Sequence, residues 1–120
     1  MPSKMVESSR LFQMWSYTVG HGQLILRSPK AVGFPTRIDV LFKNVAAMHL
    51  PTIMDGLAVS EATEAETQEL PVQVDRSRLE ERKVFIVRTA NFTGHVIAGV
   101  VASHEDEREY HEPSHFSFQP

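Results

Sequence analysis

At 120 residues, with 42% apolar and 22% charged side chains, the chain has enough sequence for one packed domain and too little polarity for a disordered or fibrous protein. It contains no cysteine, which excludes a disulfide framework and thiolate chemistry and fits a reducing, cytoplasmic compartment. The formal net charge is −3, the basic residues are scattered singly rather than in a stripe that would suit nucleic acid, and the longest apolar run, Val96 to Ala102, is far too short for a helix that crosses a bilayer.

Residues 1–9 show no periodicity and are expected to fray, and MPSKMVESSR has neither the apolar run nor the small-residue cleavage pattern of a secretory signal. From Leu11 to Val19 strand formers dominate. A regular strand would place Leu11, Trp15, Tyr17 and Val19 on one face with Gln13, and Phe12, Met14, Ser16 and Thr18 on the other. Gly20-His21-Gly22 interrupts this run, and Gln23 to Arg27 resumes it, so residues 11–28 read as a hairpin. Pro29, Gly33 and Pro35 then make 28–36 a loop.

The longest uninterrupted folding signal lies in residues 37–59. Ile38, Val40 and Phe42 alternate with Arg37, Asp39 and Lys43, the period of two of a half-buried strand. Asn44 offers turn chemistry, Met48 and Leu50 resume the apolar beat, Pro51 ends it, and Asp55-Gly56 is the strongest two-residue turn signal in the chain. The pattern predicts strand, turn, strand, turn, strand.

Residues 60–70, SEATEAETQEL, change character. Thr63 and Glu66 stand at capping-box spacing before Pro71, which suits one short helix near 61–70, and an acidic loop suits the composition as well. Residues 72–82 carry mixed charge and no clear pattern. Lys83–Thr89 and Gly94–Ser103 are two further strands joined by a compact turn, apolar on both faces, with Gly99 marking a bulge or a close backbone approach. The stretch from His104 onward is a charged tail, expected to pack back on the sheet through Phe116 and Phe118.

Charge is unevenly divided. Residues 1–43 hold six Lys/Arg against Glu7 and Asp39, a net +4, and the remainder holds six against thirteen acidic residues, a net −7. Interleaved in one sheet, such halves supply cross-strand pairs rather than two opposed faces.

Few residues suggest chemistry. His111-Glu112-Pro113-Ser114-His115 matches the letters of the zinc-protease pattern H-E-x-x-H, but that pattern needs a helix to stack its two imidazoles, and Pro113 sits inside it. The weaker form is a loose metal site from His104, His111 and His115. His21 is a loop-tip histidine, His49 should point away from the core, and His95 opens a strand. No nucleophile elbow and no phosphate loop is present. Trp15 and Tyr17, large amphipathic side chains on an early strand, are with His21 the candidate contacts for a partner or ligand.

These observations predict a single all-β domain over residues 1–120, mainly antiparallel, a small barrel or two-layer sandwich of about seven strands, with an α+β arrangement as the alternative. The function they favour is a non-catalytic cytosolic interaction module that binds a protein partner or itself, with no cofactor, nucleic acid or membrane. A small barrel holding an apolar or anionic ligand, its cavity lined by Trp15, Phe42, Val87 and Val100, is the second reading. A metal-assisted enzyme built on the histidine-rich tail ranks last.

Overall fold

The computed structural model describes residues 4–31, 33–70, 82–109 and 112–114. Eight strands and one short helix follow in the order β1 (Lys4–Thr18), β2 (Gln23–Ser28), β3 (Arg37–Lys43), β4 (Ala47–His49), β5 (Ile53–Glu61), α1 (Glu64–Gln68), β6 (Lys83–Arg88), β7 (Thr93–Ala98) and β8 (Val100–Asp106), with a single 3-10 turn, Val19–His21, between β1 and β2. All strands belong to one antiparallel sheet of order β4-β7-β6-β5-β1-β2-β3-β8. The expected all-β class is what the chain adopts. An eighth strand appears because the run 94–103 divides at Gly99.

The two end strands of that order are linked through their neighbours. β3 runs on into β4, and β7 runs on into β8, so residues 37–49 lie antiparallel to residues 93–106 as one ribbon. Lys43 opposes Val100, and Ala47 opposes Ile97. Between these pairs the Gly99 N–H donates to Lys43 O and the Ala46 N–H to Ile97 O, both at 2.8 Å. One extra residue on the β3–β4 side is absorbed by Asn44, which takes φ 58°, a left-handed value that asparagine tolerates. The sheet is therefore rolled, and its concave face is the core. Phe42 of β3 and Phe85 of β6, well separated in the strand order, meet edge to face with ring centres 5.9 Å apart.

Alternation along each strand fills that core. Phe12, Leu24, Leu26, Val40, Phe42, Met54, Val59, Val87 and Val96 are wholly buried in it. Each such side chain contributes about 1.5–3 kcal/mol relative to exposure. The convex face is covered in two places. Under α1, Val84, Ile86 and Ile97 form a smaller apolar cluster with Ala62 and Leu70. Over β2 and β3, the buried residues include Arg27, Arg37 and Asp39.

Four expectations are corrected by the register. Fraying over 1–9 does not hold from residue 4 onward, because β1 begins at Lys4 and pairs with β5 at Lys4↔Ser60 and Glu7↔Ala58. Asn44 offsets the ribbon without reversing the chain. Asp55-Gly56 makes no hairpin: β5 runs straight through it, and the positive φ of Gly56, 77°, is taken up where the β1–β5 register shifts between Ser8 and Leu11. Finally, a bulge between Met14 and Ser16 breaks the alternation of β1. Tyr17 then opposes the core residue Leu24, whereas Trp15 lies on the convex side with Arg27, so the two aromatics do not share a face.

Candidate functional site

A concavity lies between α1 and the β6–β7 hairpin. Thr63 caps the helix, its Oγ1 accepting the Glu66 N–H at 3.1 Å while Glu66 Oε1 accepts the Thr63 N–H at 2.8 Å. The capping box legible in the sequence is thus made, and the helix alternative for residues 61–70 is the one adopted. The second oxygen of Glu66 accepts from Arg88 Nη2 at 2.6 Å, which ties the helix to β6. The Thr63 N–H and then Arg88 hold the Glu66 carboxyl below its ordinary range.

Between helix and hairpin a cleft of about 260 Å³ remains, lined on its polar side by His49, Glu66, Glu69, Arg88, Thr93 and His95 and on its apolar side by Leu70 and Ile86. His49 and His95 are direct partners in the β4–β7 ladder, so their side chains leave the sheet on the same face, with ring centres 5.8 Å apart. His49 also meets Phe92 edge on, at 5.4 Å.

Gly94 makes this approach feasible. A Cβ there would stand 2.1 Å from His49 O and 2.8 Å from the Phe92 ring, so no residue but glycine lets β4 close on β7 at this point. His95 is 3% exposed, and burial first, then the neighbouring His49, pushes its pKa below the ordinary imidazole value. It is neutral at pH 7. Its ring makes no hydrogen bond to another described residue, and it lines the cleft.

The candidate contacts are scattered by the fold. Trp15 covers the Arg27 guanidinium at 4.4 Å, and Arg27 holds Asp39, so Trp15 serves an internal ion pair. Tyr17 is 40% exposed on the other side of the strand. The backbone of His21 closes the 3-10 turn that Gly22 ends with φ 57°. Of the tail histidines, His104 lies on β8 with Nε2 at 3.2 Å from Asp106 Oδ2, while His111 and His115 fall outside the described residues. The four residues expected to line a barrel cavity do not converge. Phe42 and Val87 are packed in the core, Trp15 lies against Arg27, and Val100 is 49% exposed.

No family model, curated protein or solved structure matches the chain.

One further surface stands out. β8 is hydrogen-bonded to β3 on one side, and among the described residues no strand pairs with its other side. Its first half, Val100 to Ser103, carries no charge and no proline. Proteins usually blunt such an edge with lysine, proline or a covering segment. At the far end Asp106 is pushed up by burial, but the Arg108 N–H and the nearby Arg37, Arg108 and His104 outweigh that and hold its carboxyl below the ordinary value. No helix among the described residues is long and apolar enough to cross a membrane.

Proposed function

We propose that the protein is a non-catalytic interaction module that receives an extended segment, from a protein partner or from a second copy of itself, along the outer edge of β8. The observation that carries this reading is the first half of that edge, which no described strand pairs with and where Val100, Ala102 and Ser103 are exposed. An incoming strand satisfies outward N–H and C=O groups with main-chain hydrogen bonds, and alternate side chains supply selectivity. The adjoining exposed Glu105 favours a segment whose matching end is basic.

A photo-crosslinking side chain placed at Ala102, in cells, tests the reading. A defined adduct from this position, absent when the same group replaces the exposed turn residue Asn91 and lost when Val100 is changed to Lys, is the expected outcome. An adduct of twice the chain mass identifies a second copy, and any other defined mass a different partner. Equal yields from positions 102 and 91 would overturn the proposal.

A further inference from the structure

We propose that His49 and His95 bind a divalent transition-metal ion in the cleft beside α1. The two histidines oppose each other across β4 and β7, and backbone pairing fixes their spacing. Two imidazoles that share one ion through nitrogens at about 2.0–2.1 Å put their ring centres ~5–6.5 Å apart. The observed separation of 5.8 Å, with the rings inclined at 55°, lies in that range before any side chain moves.

The state of the rings suits the role. The His95 ring is 3% exposed, makes no hydrogen bond to another described residue and borders the cleft. The charges lining the cleft beside the pair are Glu66 of α1, Glu69 at its C-cap and Arg88 of β6. Arg88 is already held by Glu66 at 2.6 Å, so the surplus in the cleft is the Glu69 carboxylate, which favours a cation.

Among the described residues no group of three imidazoles and carboxylates closes around an ion. The pair therefore supplies two ligands and leaves the other positions to water or to an incoming donor. This is an open site, in contrast to the four-ligand cage of a structural zinc. Imidazole ligands select ions such as zinc, nickel and copper over magnesium and calcium.

The test is calorimetric titration of the full, untagged chain with zinc chloride at pH 7.5, accompanied by thermal melts with and without zinc. One ion per chain and a raised melting temperature are expected, since opposed histidines exist as a pair only in the folded state. His49→Ala, at an exposed position, should weaken binding about tenfold or more while the metal-free melt stays close to wild type. His95→Gln should do the same where it folds. The triple variant His104→Ala, His111→Ala, His115→Ala should bind as the wild type does. Absence of binding, or binding that survives His49→Ala and disappears in the triple variant, would overturn the assignment.

Discussion

Arg27 and Asp39 face each other across the β2–β3 ladder, and both carboxylate oxygens are taken by one guanidinium, Oδ1 by Nε at 2.8 Å and Oδ2 by Nη2 at 3.1 Å. The residues are 1% and 2% exposed, on the convex face beneath Trp15. A buried pair of this kind contributes little compared with a well-packed apolar pair, but losing one partner strands the other as an uncompensated charge. Asp39→Ala should therefore cost about 3–5 kcal/mol in urea denaturation. The double change Arg27→Met, Asp39→Leu should recover most of that loss. A double variant no more stable than Asp39→Ala would mean that the pair is needed for the register itself.

Gly94 and His49 define a second constraint. Because a Cβ at Gly94 would overlap His49 O at 2.1 Å, backbone must move to admit it, and β4, only three residues long, is the element free to do so. Gly94→Ala should destabilise the protein by about 1–3 kcal/mol. It should also speed amide hydrogen exchange over Ala47–His49 without changing β2 and β3. Unaltered exchange in β4 would contradict the close approach.

Much of the fold was legible because it depends on local pattern. The inward face of β3 at Val40 and Phe42, the Thr63/Glu66 capping box and the interruption at Gly99 each act within a few residues and appear where the sequence put them, whereas the face of β3 expected to meet water is buried at Arg37 and Asp39. What failed was parity and direction. A bulge at Met14/Ser16 reverses the alternation of β1 midway, and nothing in LFQMWSYTV marks where an extra residue enters. Asp55-Gly56 carries hairpin chemistry, yet positive φ serves a bulge as readily as a turn, and only pairing with β1 decides between them. The His49–His95 pair was illegible for a related reason. Each is an isolated histidine in its own strand, and their meeting depends on a register set by distant residues.

His95 gives the protein a predictable response to acid. Its folded pKa is lowered from 6.5, so the unfolded chain binds the proton more readily. The stabilisation from keeping His95 neutral is thus fully present above pH 6.5 and declines as the pH falls through the lowered folded value. Glu66 and Asp106, held below their ordinary 4.5 and 3.8, lose their contributions only in more acid solution, so the two windows separate. Chemical denaturation between pH 7.5 and 5 should show wild-type stability falling more steeply than that of His95→Gln. Parallel curves would mean that burial of the imidazole has no energetic effect in this range.

Arg37 makes the clearest case for a residue that fixes a segment through main-chain atoms alone. Its guanidinium, on a residue 1% exposed, donates to Glu109 O and Glu112 O at 2.7 Å each and to Pro113 O at 3.0 Å, and so holds the chain beyond β8 against β3. Burial first, and then the charge of Arg27, lower its pKa, with Asp39 and Asp106 acting in opposition. Hydrogen bonds to a charged group contribute roughly 1.5–3 kcal/mol each, and about 1.4 kcal/mol is a factor of ten in an opening equilibrium. Arg37→Met removes all three donors while keeping an unbranched side chain in the same space. Trypsin should then cut after Arg108 at least about tenfold faster than in the wild type. Cleavage after Lys83 and Arg88, within the sheet, separates release of the segment from general unfolding: their rates should rise much less. Equal acceleration at all three positions would mean that Arg37 supports the sheet as a whole, and no acceleration at Arg108 would mean that the segment is held by other contacts.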